Sequence, residues 1–371
     1  MFELRQHLFL AAATGLMVLA AGSALAEDAD DRTAYVRTDL VSNVKNLVQP
    51  MDPNLQNSWG LAFTPTSPLW VADNNSGVST LYSINAGGTK AAKVNLTVTL
   101  PGGRASTNDG SSPTGLVFNP TSGFVVTTPA GSGAALFIFS AEAGQISAWN
   151  PAADPVTNGA STATVKFSSP TAVYKGLTIA TTDAGTFLYA SNFHDGTVDV
   201  FNSSFQLVHL AGDFTDPRLP PGYAPFGIQN INGLIYVSYA LQNAAKHDDV
   251  AGTGHGFVDI YTNNGFLVKR LVSRVDLDSP WGLAEAPAGF GPFGGDLLVG
   301  NFGNGRIHAF GLFSGVPRGA LLNERRKPIQ IDDLWALKFG TATTGGTGTL
   351  LFSAGINDEK DGLVGSINPA P

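Results

Sequence analysis

Apolar and polar residues alternate in short segments along almost the whole chain, and one small motif recurs among them. The motif is a residue that is often aromatic, then Gly or Ala, then an aliphatic residue, and successive copies lie 51 to 61 residues apart. Repeats at such an interval are typical of proteins built from similar structural units. The six copies are Trp59-Gly60-Leu61, Thr114-Gly115-Leu116, Lys175-Gly176-Leu177, Phe226-Gly227-Ile228, Trp281-Gly282-Leu283 and Trp335-Ala336-Leu337.

Each repeat continues with the same order of predicted strands. A second apolar strand follows the motif, and in several repeats an Asn- and Gly-rich turn comes next. An alternating strand then follows, as at residues 197–201 and 257–261, and a short fourth strand completes most units, as at residues 206–210. Four strands in a repeat of about 50 residues are typical of a propeller blade. The predicted second strands are residues 69–72, 124–127, 187–190, 234–237, 296–299 and 349–352.

The two ends of the chain complement each other. The last repeat stops one strand short, after residue 367, whereas residues 34–41 form a surplus strand before the first motif. Placing that strand at the outer edge of the last blade closes the ring and removes a free sheet edge. We therefore predict an all-β fold, a six-bladed β-propeller of four-stranded blades. A parallel β-helix is the alternative, but its repeats are usually much shorter, and a lectin-like sandwich does not explain the regular interval.

Residues 1–26 have the pattern of a signal peptide. Arg5 lies near the N-terminus, residues 8–20 are uncharged and mostly apolar, and residues 24–26 form an Ala-Leu-Ala cleavage site. A membrane anchor is the alternative, although the apolar run is short for a span and acidic residues follow it. We expect cleavage at this site and a single propeller domain at 27–371 without a transmembrane segment. The expected location is the periplasm or the extracellular space.

Composition limits the class of partner. The chain has no cysteine, which excludes disulfides and thiolate metal sites, so the domain depends on its apolar core. The formal net charge of −8 at pH 7 argues against nucleic acid and weakly favours a neutral or cationic ligand, or a metal. Charged residues make up only 13% of the chain, as expected for short strands rather than helical surfaces. We expect a monomer.

Four segments taken together are more specific than a generic propeller turn. They are residues 52–60 (DPNLQNSWG), 190–196 (ASNFHDG), 301–305 (NFGNG) and 355–362 (GINDEKDG). With them the sequence resembles exported bacterial propeller proteins of unassigned function from genomes with exosortase-type sorting systems, which are distantly similar to NHL-repeat propellers. The resemblance implies a fold and an exported location but no established reaction. The chain ends at Pro371 without the C-terminal sorting helix of some members, so we do not expect anchoring by that route.

The central channel of the predicted propeller is the expected ligand site. The loops that enter the innermost strands and the loops that join the second and third strands converge on one face there. We expect a small-molecule, glycan or protein ligand on this face. Packing between blades is the alternative role for the aromatic residues, and turn geometry is the alternative for the amides. The predicted ligand-binding residues are Trp59, Tyr174, Phe226, Trp281, Trp335, Asn74 and Gln242.

Histidine is scarce in the chain and marks two loops of this face. His194 lies beside Asp195 in the turn of the third repeat, and such a pair can act as a general acid or base. Residues 244–256 enlarge the corresponding turn of the fourth repeat and contain His247. We therefore predict His194, Asp195 and His247 as candidate catalytic residues. A solvated turn histidine and a mobile solvated loop are the alternatives.

Oxygen ligands at comparable loop positions give a candidate Ca²⁺ site. Asp73, Asn192, Asn301 and Asp358 all follow second strands, and carboxylate and amide oxygens suit this ion. Enzymes of the gluconolactonase/paraoxonase type use such a site on six-bladed propellers, a similarity of fold alone. Two functions therefore stay open. The chain is a binding or scaffold module acting through the aromatic and Asn-rich face, or a Ca²⁺-assisted hydrolase or lyase with His194 or His247 as base.

Overall fold

The computed structural model describes residues 34–102 and 111–371, which belong to one compact unit, Thr33–Pro371. Six antiparallel sheets form a ring in which each innermost strand contacts the innermost strand of the next sheet and the sixth contacts the first. The predicted six-bladed β-propeller is thus confirmed. Apolar clusters fill the spaces between neighbouring blades and divide the core into wedges. The predicted signal peptide, residues 1–26, lies outside the described residues.

The strands of the described ranges are numbered in chain order, and each blade is named from its innermost strand outward. Blade 1 contains β2 (Ser58–Ala62), β3 (Leu69–Asp73), β4 (Val78–Ile84), β5 (Ala91–Thr99) and, parallel to β5, β11 (Ala160–Thr162). Blade 2 contains β6 (Pro113–Phe118), β9 (Phe137–Ala141), β10 (Gln145–Trp149) and β12 (Thr164–Ser168). Blade 3 contains β13 (Tyr174–Thr182), β14 (Gly185–Asn192), β15 (Thr197–Phe201) and β16 (Leu207–Val208).

The second half of the ring has the same order. Blade 4 contains β17 (Tyr223–Ile231), β18 (Leu234–Leu241), β19 (Phe257–Thr262) and β20 (Leu267–Ser273). Blade 5 contains β21 (Pro280–Glu285), β22 (Asp296–Asn301), β23 (Ile307–Gly311) and β24 (Pro317–Ala320). Blade 6 contains β25 (Leu334–Phe339), β26 (Leu350–Ala354), β27 (Leu363–Pro369) and β1 (Tyr35–Ser42). A single 3₁₀ turn, Gly291–Phe293, accompanies these strands, and no helix in the described ranges is long and apolar enough to cross a membrane.

The N-terminal strand completes the last blade, as the sequence predicts. β1 pairs with β27 in antiparallel register from Tyr35 opposite Pro369 to Ser42 opposite Leu363. The side chains of Tyr35, Leu40 and Val41 are buried in the adjoining cores. The first and last strands of the propeller therefore hold the ring closed through both hydrogen bonds and apolar packing.

The Gly of the repeated motif allows the innermost strands of neighbouring blades to approach each other at the channel. A Cβ on Gly115 would lie 2.3 Å from the backbone N of Leu177, and one on Gly227 would lie 2.0 Å from the backbone O of Trp281. Backbone atoms of a packed neighbouring strand cannot move aside as a flexible side chain can, so these positions need Gly. The sixth copy alone carries a side chain here, that of Ala336.

Buried serine hydroxyls on second strands also link blades to their neighbours. Each hydroxyl donates a hydrogen bond to a backbone carbonyl at the start of the next innermost strand, and Ser238 Oγ in addition accepts one from Gly227 N at 2.9 Å. The hydroxyl thus satisfies backbone groups that the irregular start of the innermost strand leaves without ladder partners. The donor and acceptor residues are Ser191 and Phe226, Ser238 and Pro280, and Ser353 and Trp59.

Blade 2 corrects one predicted strand. The sequence pattern predicts residues 124–127 as its second strand, but β9 holds that place and pairs with both β6 and β10. The predicted segment instead forms a separate hairpin of β7 (Val125–Thr128) and β8 (Gly131–Ala134). Phe124 is buried against Phe205 of blade 3, whereas Val125 is 45% exposed. The prediction was wrong because an alternating apolar segment suits a two-stranded hairpin as well as a blade.

Candidate functional site

Loops from different blades meet at the end of the channel where the innermost strands begin. Glu142, in the turn between β9 and β10, accepts a hydrogen bond from Asn74 of blade 1 at 3.0 Å and forms an ion pair with Lys175 of blade 3. Lys175 Nζ in turn lies 3.4 Å from Asp248 Oδ1 in the long loop of blade 4. We call this surface the channel mouth. It comprises Asn57, Asn74, Glu142, Lys175, His247, Asp248, Asp249, Asp333 and Glu359.

An aromatic cluster, the aromatic plug, packs beneath the channel mouth. Trp59 stacks on Trp335 with ring centroids 3.4 Å apart, and Trp281 meets both rings edge-on. Trp59 and Trp335 are 1% exposed and Phe226 is fully buried, so these predicted ligand-binding residues contact one another. Trp281 stays partly exposed because it lines a cavity inside the channel. The plug comprises Trp59, Trp281, Trp335, Phe193, Phe226 and Phe302.

The other predicted ligand-binding residues occupy different surroundings. Tyr174 is fully buried in the core of blades 2 and 3, where its hydroxyl donates to Asp199 Oδ2 at 2.8 Å. Gln242 Nε2 donates to the backbone O of Phe193 and so joins the blade 4 loop to the turn of blade 3. Asn74 belongs to the channel mouth itself through its bond to Glu142. Its 5% exposure makes it a positioning group for that carboxylate.

Lys175 is the central cation of the channel mouth. Its Nζ pairs with Glu142 and Asp248 and lies 5.2 Å from the ring centroid of Trp59, a cation–π contact. Burial lowers the pKa of Lys175, but the two carboxylates more than offset that effect, so the pKa is raised and the ammonium stays charged. Sequence reasoning missed this residue, although a Lys at a motif position held by an aromatic residue in four other copies was the available sign.

Three further carboxylates at the channel mouth have no cation within ion-pair distance in the described structure, and Lys175 offsets the effect of burial on Glu359 and Asp249 only in part. Burial raises the pKa of Glu359 to about 7 and that of Asp333 to about 6, with neighbouring carboxylates adding to both shifts. Burial likewise raises the pKa of Asp249, whose Oδ2 is buried without a hydrogen-bond partner. Asn57 Nδ2 donates to Glu359 Oε2 at 2.9 Å and to this extent opposes the shift. The channel mouth therefore carries more carboxylates than its own cation can neutralise.

His247, a predicted catalytic residue, lies in this cluster. Its Nδ1 is 2.8 Å from Asp248 Oδ1, and this hydrogen bond raises the pKa of His247 and lowers that of Asp248 to about 2. Within the described ranges, Glu142, His247 and Asp248 form the one group of three or more acidic or histidine side chains whose ligand atoms lie within 4.8 Å of one another. Lys175 Nζ already contacts two of the three, so a metal ion there would meet a neighbouring ammonium.

The predicted pair of His194 and Asp195 forms an exposed contact in the turn of blade 3. His194 Nδ1 lies 2.8 Å from Asp195 Oδ1, and the two side chains are 37% and 42% exposed. Asp195 Oδ2 also accepts a hydrogen bond from Asn192 Nδ2 at 2.9 Å. The pair has the hydrogen bond that a general base needs, in a solvated position.

The four predicted Ca²⁺ ligands each make contacts with residues of their own blade or of the loops beside it. Asp73 is buried and accepts hydrogen bonds from Ser58 and Thr80 within its own blade. Asn192 Nδ2 donates to Asp195 and Asp199, and Asn301 Nδ2 donates to the backbone O of Asp276. The side chain of Asp358 is 93% exposed and pairs with Lys360 at 3.3 Å. Through these hydrogen bonds Asp73, Asn192 and Asn301 stabilise the turns that follow the second strands.

The fold and the channel mouth define a six-bladed propeller with an acidic site at one end of its channel. The chain is 32% identical over 335 residues to an uncharacterized protein of Acanthamoeba polyphaga mimivirus, covering 88% of this chain and 78% of that protein. A second uncharacterized protein of the same virus is 31% identical over 88% of this chain and 84% of its own length. The chain belongs to one family with these mimivirus proteins. No protein-family model matches it.

Solved structures with a similar shape share little sequence with this chain. A streptogramin B lyase superposes with a TM-score of 0.46 and 10% identity over 91% of this chain and 98% of its own. The PQQ-bound aldose sugar dehydrogenase of Streptomyces coelicolor has a TM-score of 0.48 and 14% identity over 85% and 94% of the two chains. At such identities the likeness concerns the fold and not the activity.

Proposed function

We propose that this chain is an exported binding protein that holds a cationic group of a small-molecule, glycan or protein ligand at the channel mouth. The observation that supports this function is the charge imbalance around the aromatic plug. Lys175 pairs with Glu142 and Asp248, whereas Asp249, Asp333 and Glu359 have no cation within ion-pair distance in the described structure.

The physical argument concerns the cost of unpaired buried charge. A carboxylate whose pKa rises to about 7, as at Glu359, is destabilised in its ionised form by burial and by neighbouring negative charge. An ammonium or guanidinium group of a ligand would lower that cost and gain charge-assisted hydrogen bonds. The unpartnered Asp249 Oδ2 offers an acceptor for one such bond. The overall net charge of −8 favours approach of a cation as well.

Calorimetric titration with cadaverine, a diamine, tests this function, with pentan-1-ol as the neutral comparison. We expect the wild-type protein to bind cadaverine at pH 8 and to bind it at least tenfold more weakly at pH 5.5, because Glu359 is then protonated. Glu359→Gln should weaken the affinity, while Glu324→Gln, at an exposed glutamate outside the channel mouth, should leave it unchanged. Equal binding of pentan-1-ol, or no effect of Glu359→Gln, would contradict the proposal.

A Ca²⁺-assisted hydrolase or lyase is the second candidate, and the grouping of Glu142, His247 and Asp248 favours it. In that function His194 or His247 is the base and carboxylates hold the ion. Melting curves with and without CaCl₂ test it. Loss of a Ca²⁺-induced rise in Tm in Glu142→Gln would assign the ion to the channel mouth. Loss in Asp73→Ala or Asp358→Ala would assign it to the ligand set predicted with Asn192 and Asn301. No rise with any divalent ion argues against a metal enzyme.

Export is part of the proposed function, as is kinship with exported bacterial propellers. The supporting observation is the signal-peptide pattern of residues 1–26. N-terminal sequencing of the protein recovered from the periplasmic extract of a Gram-negative host should give a chain that begins at Glu27. Recovery of the uncleaved chain from the cytoplasm alone would contradict export.

A further inference from the structure

The channel contains a cavity of about 250 Å³ on the far side of the aromatic plug from the channel mouth. Trp281 of the plug lines one end, and the innermost strands of all six blades form the wall. An adjoining cavity shares Phe63, Asn230 and Lys338 with it, at the end of the channel where the innermost strands finish. Aliphatic residues of all six blades line the wall, although most of each side chain packs into the cores between blades. The six at equivalent motif positions are 4–6% exposed, namely Leu61, Leu116, Leu177, Ile228, Leu283 and Leu337.

Among the described residues that line this cavity, Lys338 is the one that carries a charge. Its Nζ lies 5.3 Å from the ring centroid of Phe63, and within the described ranges it has no carboxylate at ion-pair distance and no side-chain hydrogen bond. Glu285, which borders the adjoining cavity, instead accepts a hydrogen bond from Asn232 Nδ2 at 2.7 Å. Lys338 is half-buried, and burial lowers its pKa, as expected for an ammonium without a counter-ion.

We propose that this cavity binds a small amphipathic monocarboxylate whose anionic group contacts Lys338 Nζ and whose hydrocarbon body lies against the aliphatic ring. A half-buried ammonium without a counter-ion is costly, and an anion beside it supplies both charge compensation and hydrogen bonds. One positive charge suits a monoanion, whereas a phosphate dianion would keep an uncompensated charge in the same walls. The aliphatic side chains favour a ligand with substantial apolar surface.

Gln229 adds a second polar contact for the same carboxylate. It lines both cavities, and its side-chain amide makes no hydrogen bond in the described structure. The neighbouring Asn230 is already used, because its Nδ2 donates to Ile179 O at 3.0 Å and its Oδ1 accepts from Gly233 N at 3.1 Å. The ammonium of Lys338 and the amide of Gln229 are thus two donors that remain for a ligand anion.

This site is independent of the cation site proposed at the channel mouth. The aromatic plug lies between them, and no residue of the channel mouth lines the cavity. The two sites prefer ligands of opposite charge. Glu359→Gln should therefore leave carboxylate binding unchanged, and a failure of either proposal is distinguishable from a failure of the other.

Calorimetric titration with sodium hexanoate tests the proposal, with hexan-1-ol as the neutral ligand of equal chain length. We expect hexanoate to bind the wild-type protein at least tenfold more tightly than hexan-1-ol, the usual scale of a charged hydrogen bond. Lys338→Met should remove that preference, and Lys338→Arg should retain part of it. Lys90→Met, at an exposed lysine outside the channel, should bind like the wild type.

A second measurement keeps the test decisive if Lys338→Met fails to fold. In protein whose lysines carry ¹³C-labelled dimethyl groups, hexanoate should raise the pKa of one lysine, measured from the pH dependence of its NMR resonance. That resonance should be absent from the spectrum of Lys338→Arg. Equal affinities for hexanoate and hexan-1-ol would mean that the cavity binds the hydrocarbon chain without recognising the carboxylate, and would overturn the proposal. Unchanged hexanoate binding in Lys338→Met, or no lysine resonance that responds to hexanoate, would overturn it as well.

Discussion

At the scale of single residues, the lysines at the two ends of the channel show how a carboxylate partner changes the pKa of an ammonium. Lys175 and Lys338 both belong to innermost strands. Burial acts to lower the pKa of both, but two carboxylates outweigh it at Lys175 and raise that pKa, whereas the pKa of Lys338 is lowered. The local sequence does not distinguish them. The partners of Lys175 come from blades 2 and 4, so its environment depends on loops that are remote in sequence.

Replacement of Lys175 by Met should destabilise the fold. The change keeps most of the side-chain volume but leaves Glu142 without its cation, and breaking a buried ion pair on one side costs about 3 to 5 kcal/mol. Urea unfolding at pH 7 measures this difference. Lys90→Met, at an exposed lysine, is the control and should change the free energy of unfolding by less than about 0.5 kcal/mol. A similar small change in Lys175→Met would mean that the pair contributes little.

Replacement of Glu359 by Gln should stabilise the protein at pH 8. The folded-state pKa of about 7 exceeds the ordinary Glu value of 4.5, so between these values the folded chain holds a proton that the unfolded chain has lost. The contribution of Glu359 to stability therefore falls as the pH rises from about 4.5 to 7. Gln stays neutral and keeps an acceptor for Asn57 Nδ2.

Because Glu359 is partly exposed, the expected gain from Glu359→Gln is modest, about 1 kcal/mol at pH 8 and near zero at pH 4. Thermal unfolding of wild type and variant across this pH range checks both values. A gain that does not depend on pH would mean that the residue acts through packing rather than through its charge. Combined with weaker cadaverine binding, a pH-dependent gain would mark Glu359 as a residue that costs stability and serves ligand binding.

At the scale of strands, the repeated motif predicts the innermost strands because Gly at this position avoids a clash with the neighbouring strand. The Cβ contacts at Gly115 and Gly227 explain why the motif recurs. The second strand of blade 2 escaped prediction because the hairpin of residues 125–134 has the same apolar alternation as a blade strand. Which of two such segments joins a blade is decided by packing against the neighbouring blade, and period-two alternation does not encode that choice.

Replacement of Gly227 by Ala should therefore destabilise the fold far more than Gly→Ala at an open position. The added Cβ would lie 2.0 Å from the backbone O of Trp281, and overpacking of this kind costs about 1 to 3 kcal/mol or more. Gly348→Ala is the matched control, since nothing lies within 4 Å of a Cβ there. It should be neutral or stabilising by up to about 1 kcal/mol. Chemical denaturation of both variants compares them, and equal effects would refute the close-approach explanation of the motif.

The candidate site is less predictable than the fold. The sequence points to His247 and Asn74 of the channel mouth, because a long loop and an Asn-rich turn are visible locally. It does not point to Glu142 or Asp333, and it singles out residues 355–362 without marking Glu359. These carboxylates gain their altered environment only when loops of several blades meet. Electrostatic sites on a propeller face arise between repeats, so a pattern read within each repeat misses them.

At the scale of the whole molecule, the N-terminal strand closes the ring of blades. β1 supplies the outer strand of blade 6, and Tyr35 also reaches blade 5, where its hydroxyl donates to Phe290 O at 3.0 Å. Without β1 the edge of β27 would be free and the last wedge of core would be open to water. The pairing of the two chain ends therefore stabilises the ring of blades that surrounds the channel.

Removal of residues 1–42 should consequently lower the stability of the whole propeller. Burial of Tyr35, Leu40 and Val41 accounts for roughly 5 to 9 kcal/mol, at about 1.5 to 3 kcal/mol for each side chain. We expect a lower Tm in calorimetry and association through the free edge of β27 in size-exclusion chromatography with light scattering. A chain that lacks only residues 1–33 keeps β1 and is the control, with the Tm and monomeric mass of the longer chain. If both truncated chains melt alike, the N-terminal strand does not close the ring in solution, and the energetic argument for closure fails.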